Sequence, residues 1–225
     1  MASPAQKHFA RLTARQASAA AQPGEPLAGR SGYELMLARL DADRRRLKDV
    51  KSIERKVEVK RELLPEYSAW IEGALAGGRG GQDDVLVTCM MWLVDVGEYG
   101  QALDIGRYAL THRLILPDQF SRDIPTALVD EISDGAIALH RQGAAMPLRE
   151  LQRLAEMVAD VDMHNQPRAK LHKALGLALR ATGDLPSATE HFRRALALHE
   201  GAGVKRDLAD VERAMKNTTP VEPAT

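Results

Sequence analysis

The sequence predicts an all-α protein, and three observations carry that expectation. Aromatic residues make up only 4% of the 225, Ala and Leu abound, and no run alternates β-branched with polar residues. Residues 82–116 place Leu86, Cys89, Met90 and Leu93 at helical spacing, break at Gly97, and resume with Ala102, Gly106 and Ala109 on one side. The pattern then returns: Gly183, Ala188, Arg193, Ala195 and Leu196 repeat Gly97, Ala102, Arg107, Ala109 and Leu110 at a constant offset of 86 residues.

Taken in order, residues 1–30 read as a basic N-terminal arm. Lys7, Arg11 and Arg15 recur every four residues opposite Phe9 and Leu12, a spacing that allows a short basic amphipathic helix, and an Ala, Gln, Gly and Pro stretch over 16–30 has the composition of a flexible linker. Ser31 followed by Glu34 is a capping-box pattern and opens the longest expected helix, 31–64. Leu40, Leu47, Val50, Ile53, Val57 and Leu64 mark a narrow apolar seam along it, like that of a coiled coil. Pro65 can start the next helix, with Tyr67, Trp70, Ile71, Ala74 and Leu75 as its apolar stripe, and GGRGG at 77–81 reads as a hinge.

Residues 82–216 read as a body of stacked helical hairpins. Asp83 and Asp84 stand where carboxylates cap a helix. After a proline-bounded loop at 116–125, a weaker hairpin turns at Gly143. Its arms carry Leu128, Ile132, Ala136 and Leu139, then Leu148, Leu151, Leu154, Ala155 and Val158. A third hairpin follows the break MHNQPR at 163–168 and carries Gly176 and Phe192, a tetratricopeptide-like combination of small crossing residues, turn glycine and an aromatic. Hairpin stacks of this kind offer surfaces to partners. VKRDLADVERAMK is a last short amphipathic helix, and 217–225 reads as a disordered tail.

The zero net charge hides a division. Residues 1–61 hold 14 Lys+Arg against 7 Asp+Glu, and residues 62–225 hold 17 against 24. The positive half suggests a polyanion contact at one end. Its densest stretch is Arg44, Arg45, Arg46, Lys48, Lys51, Arg55, Lys56, Lys60 and Arg61 on the expected long helix, side chains able to neutralise phosphates without reading sequence. The plainer reading is a solvated charged helix. A dimer or ring through the seam would multiply the basic surface, so a homo-oligomer is expected.

Chemistry is harder to find. Cys89 is the single cysteine, which excludes a disulfide framework and fits a reducing cytoplasm. No apolar run approaches the roughly 18 residues of a membrane span, and no signal-peptide core precedes the first helix. The seven histidines form no HExxH pair, and no metal site is expected. His164-Asn165 matches only a fragment of a His-Asn-His nuclease. Asp49 with Glu58-Val-Lys60 matches the Asp…Glu-x-Lys pattern of metal-dependent nucleases, but on a charged helix and not on adjoining strands. The GGRGG segment lacks the Gly-Lys-Ser/Thr ending of a phosphate loop.

Four blocks, SPAQKH at 3–8, KRELLPEYSAWIEGAL at 60–75, GQDDVLVTCMMWLVDVGEYGQALDIGRYAL at 81–110 and PRAKLHKALGLALRATGD at 167–184, resemble the small terminase subunit of tailed phages of the GpM type. The resemblance implies a DNA-binding, endonuclease-associated subunit that selects the packaging site on concatemeric viral DNA. It also implies a large ATP-driven terminase subunit as partner and a place in the host bacterial cytoplasm. No catalytic residue maps onto this sequence. No cofactor is evident, and a divalent metal is implied only if the chain itself cuts DNA. The competing expectation is a bacterial tetratricopeptide-like adaptor that binds protein and no DNA.

Overall fold

The computed structural model describes residues 3–27, 29, 31–117 and 122–218. Among them are eleven α-helices and no strand, as the composition demands: α1 Pro4–Ala20, α2 Ser31–Asp49, α3 Ile53–Leu63, α4 Ser68–Gly77, α5 Asp84–Asp95, α6 Tyr99–Thr111, α7 Ile124–Arg141, α8 Leu148–Met157, α9 Asn165–Ala181, α10 Leu185–Leu198 and α11 Lys205–Thr218. They divide into two compact units, residues 1–124 and 125–225. Helices α5 and α6 therefore belong with the N-terminal helices, whereas the sequence placed a boundary between 81 and 82.

In the first unit α5 is the most fully buried helix, and α2, α3, α4 and α6 all touch it. Residues Val85 to Val94 are all buried, so the apolar face expected from Leu86, Cys89, Met90 and Leu93 extends round the whole helix. Asp83 caps it, its carboxylate accepting from the Leu86 N–H (2.9 Å) and from Trp70 Nε1–H (2.8 Å). Trp70 is buried on α4, near Tyr33 of α2. At the other end Gly97 takes φ +85°, which lets the chain turn into α6.

The helix that the spacing of Lys7, Arg11 and Arg15 allows runs on to Ala20, into the stretch of linker composition, and packs against α4, so the segment is not a loose arm. Ser3 and Gln6 form a reciprocal capping box, with bonds of 3.2 and 2.7 Å. The buried face of α1 is Ala14, Ala17 and Ser18, while Phe9 and Leu12 are exposed. Small residues are required there because α4 comes so close. A Cβ on Gly73 would lie 2.2 Å from the Arg11 carbonyl oxygen, and one on Gly77 would lie 2.6 Å from Ser18 Cβ.

The expected continuous helix over 31–64 is two helices, α2 and α3. Ser52 ends the first run by capping the second, its hydroxyl accepting from the Arg55 N–H (3.3 Å). The chain then doubles back, since Arg39 pairs with Glu66 (3.5 Å) and Arg46 with Glu62 (3.0 Å). The turn dismantles the coiled-coil seam: Leu40, Leu47 and Leu64 are buried inside the chain, and Ile53 is 80% exposed at the bend. The capping box read at Ser31 is not formed either. Ser31 already lies in α2, and Glu34 accepts from the Gly29 N–H (2.8 Å).

In the second unit α9 and α10 form the hairpin foreseen at Gly183, with the Phe192 ring against Gly176, where a Cβ would come within 2.5 Å of it. Lys170 of α9 reaches Asp130 and Asp134 of α7, each at 2.8 Å, and Arg180 reaches Asp207 of α11 at 2.7 Å. Gly143, at φ +69°, closes the turn after α7 as expected. Of the segment 217–225 read as a disordered tail, residues 217 and 218 continue α11, and the rest lies outside the described residues, as do 118–121 of the expected loop.

Burial raises Asp83 from the ordinary carboxylate value to about 6, against the bonds from Leu86 and Trp70 that favour its charged form. Folding thus favours the protonated acid. That contribution is present below the unfolded pKa, ~4, and is lost as pH rises through 6, a window worth about 3 kcal/mol. Asp83→Asn retains an acceptor for the cap and has no proton to exchange. Its unfolding free energy, measured by denaturant titration, is expected to lack this fall between pH 4 and 7; parallel curves for the two proteins would refute the assignment.

Candidate nucleic-acid interface

The α2–α3 hairpin carries the nine cations singled out from sequence, and the fold sorts them into three groups. Three are built into the unit. Arg44 donates through Nη2 to Thr88 Oγ1 (2.8 Å) on the buried α5, lies 3.6 Å from Asp41, and has its Nε buried without a hydrogen-bond partner. Lys60 pairs with Asp95 at the end of α5, and Arg61 donates to the Val96 carbonyl (3.3 Å) just beyond it. Cations at that helix end complement the carbonyl pole of the dipole.

Arg46 and Arg55 form the second group. Both share Glu62, at 3.0 and 3.6 Å, and Arg55 also meets Glu58 at 2.7 Å. Their side chains are about half exposed, so water weakens these pairs and an incoming phosphate can exchange with them.

The third group is Arg45, Lys48, Lys51 and Lys56. None forms an ion pair among the described residues; Arg45 donates only to the Asp41 carbonyl of its own helix (3.2 Å). Arg45, Lys48 and Lys51 are exposed and Lys56 is half-buried. They cluster where α2 ends, the chain bends and α3 begins, around exposed Ile53. On α1, Arg11 pairs with Glu72 (3.4 Å), while Lys7 and Arg15 are exposed.

The nuclease-like residues go separate ways. Glu58 is engaged by Arg55 and Lys60 by Asp95, while Asp49 is exposed at the end of α2. His164 and Asn165 are exposed at the start of α9. Among the described residues no group of three or more His, Cys, Asp or Glu side chains converges where a metal ion could be held. No described helix is long and apolar enough to cross a membrane.

Counting cations along the chain cannot reveal this sorting. Glu62 and Asp95 decide which charges are spent inside the fold, and they meet their partners only after the chain has turned at Ser52. The one local signal is Ser52 itself, a capping residue inside an otherwise helical pattern.

Comparison with known proteins agrees with the earlier resemblance. The family model described as phage small terminase subunit matches residues 37–166, which include the whole α2–α3 bend. The terminase endonuclease subunit of Escherichia phage P2 is 41% identical over 223 residues, covering 99% of this chain and 90% of that protein. A probable terminase endonuclease subunit of Haemophilus phage HP1 is 26% identical over 164 residues, covering 67% of this chain and 58% of that protein. No solved structure matches the chain. A family model over more than half the chain, with an alignment to a relative along nearly all of it, shows that the chain belongs to the phage small terminase subunits.

Proposed function

We propose that, within the DNA-packaging role of its family, this chain binds double-stranded viral DNA through the α2–α3 bend and brings the large ATPase subunit to the site where the concatemer is cut and packaged, in the host bacterial cytoplasm. The observation that carries the reading is the concentration of four cations without ion-pair partners among the described residues, Arg45, Lys48, Lys51 and Lys56, on one exposed bend of the segment the family model covers. Unpaired lysines and arginines lose nothing within the fold when they turn to phosphates, and such contacts position DNA without reading bases. Self-association belongs to the same reading. With Leu40 and Leu47 buried within the chain, the exposed apolar side chains of Phe9, Leu12, Leu35 and Ile53 remain for contacts between copies.

The test is retention of a purified large subunit on immobilised duplex DNA. Retention is expected to rise when the chain is added, and light scattering of the chain alone should give a mass above that of a monomer. With magnesium or manganese the chain alone should leave DNA largely intact, since Glu58 and Lys60 are held by separate partners. A chain that binds no duplex sinks the DNA reading and leaves the adaptor reading standing. Metal-dependent cleavage lost on changing Glu58 would relocate the cutting centre to this chain.

A further inference from the structure

A second group of cations without ion-pair partners among the described residues lies elsewhere in the first unit, around the glycine-rich segment that the sequence presents as a hinge. We propose that the turn 77–81 is a minor-groove probe, with Arg79 inserted into the minor groove of duplex DNA and Arg15 and Arg113 on the flanking phosphates. This rests on the DNA-binding reading above and adds to it a site of a different kind.

The turn is held from several sides. The Gly80 N–H donates to the Tyr108 hydroxyl (2.8 Å) and the Gly24 N–H to the Gly80 carbonyl (2.9 Å). The Gln82 N–H donates to the Glu25 carbonyl at 2.8 Å. Gly80 and Gly81 are glycine because their neighbours leave no room: a Cβ would lie 2.4 Å from His112 Cβ in one case and 2.6 Å from Ala21 Cβ in the other. Gly78 differs. It sits at φ +70° with nothing within 4 Å of a Cβ position, so one side of the turn is open. Arg79 is thus the one side chain in five residues, exposed beside open Gly78 on an already ordered turn whose Gly80 and Gly81 are buried. Ordering before binding lowers the entropy lost on contact.

Two exposed arginines lie near the turn in the fold. Arg15 has its carbonyl oxygen 2.9 Å from where a Gly77 Cβ would be, and Arg113, at φ +56°, follows His112, which lies against Gly80. Arg15, Arg79 and Arg113 are all exposed, and none forms an ion pair or a side-chain hydrogen bond among the described residues. The acidic neighbour Glu25 is engaged by the Gln22 N–H (2.8 Å), and Asp104, one turn before Tyr108, has a partner of its own. A lone exposed arginine with no bulky neighbour in the turn suits a groove about 6 Å wide, whose negative potential is strongest where A·T tracts narrow it. Flanking arginines two residues or more away suit the phosphates on its rims.

The full chain is titrated with short fluorescent duplexes carrying either a central A·T tract or a G·C-rich centre, with and without netropsin, which occupies the A·T minor groove. Wild-type protein is expected to prefer the A·T duplex and to lose that preference to netropsin. Arg79→Ala should weaken A·T binding about tenfold, the range of one good groove contact, and abolish the netropsin effect. Arg79→Lys should keep most of the affinity at low salt and little of the preference. The exposed position makes an unchanged melting temperature the expected control. If the wild type binds DNA but Arg79→Ala binds both duplexes as tightly and responds to netropsin as before, the inference is overturned and the α2–α3 reading stands, whatever the variant does to ATP hydrolysis by the large subunit. If the wild type binds neither duplex, both fail.

Discussion

Replacing Trp70 by alanine is expected to cost about 3–5 kcal/mol of unfolding free energy, the range for removing a fully buried large aromatic side chain. Trp70 is 1% exposed and fills the space between α2, α4 and α5. It also donates to a carboxylate, so its loss leaves Asp83 buried with one donor fewer. The two contributions separate in a second variant. Trp70→Phe retains most of the ring volume and removes only the N–H, so its cost should be nearer the ~1–3 kcal/mol of an unmet buried acceptor. Denaturant titration of both proteins measures this directly. An alanine variant within ~1 kcal/mol of wild type would mean that the α4–α5 contact does not hold the first unit together.

Trp70 also marks where sequence reading stops. The stripe Tyr67, Trp70 and Ala74 was legible as a buried helix face because periodicity reports burial. The bond from Trp70 to Asp83 was not, because it crosses from one helix to the cap of the next. The hairpin turns were legible at Gly97, Gly143 and Gly183, where glycine takes positive φ. Two departures share one cause. Spacing makes Phe9 and Leu12 the apolar side of α1, and makes the seam through Ile53 the contact stripe of one long coiled-coil-like helix. Close packing chose otherwise: α1 meets Gly73 and Gly77 and needs Ala14 and Ser18 there, and the bend at Ser52 throws Ile53 outward. Hydrophobicity along one segment cannot say how near the partner helix will come. The concentration of basic residues was legible as a charge count, but the division between paired and unpaired cations was not.

That division sets the second large effect. Neutralising Arg45, Lys48, Lys51 and Lys56 together is expected to weaken duplex binding by about 10²–10³-fold near 0.1 M salt if each touches a phosphate. Neutralising Arg46 and Arg55 should do much less, because Glu58 and Glu62 already offset their charge. Arg44 is a poor choice for such a test. Its guanidinium is hydrogen-bonded to Thr88 in the buried part of α5, so an alanine there would disturb the fold and obscure any effect on DNA. Losses should be alike on specific and unrelated duplexes, since phosphate contacts carry no sequence information.

The most direct measurement is the dependence of the binding constant on salt. The slope of log K against log salt counts released counterions, at about 0.9 per phosphate neutralised on duplex DNA. With the fold intact by circular dichroism, the variant lacking Arg45, Lys48, Lys51 and Lys56 should show a slope shallower than wild type by about 3–4 units. The same slope in both proteins would contradict the account and place the phosphate contacts on another face of the chain.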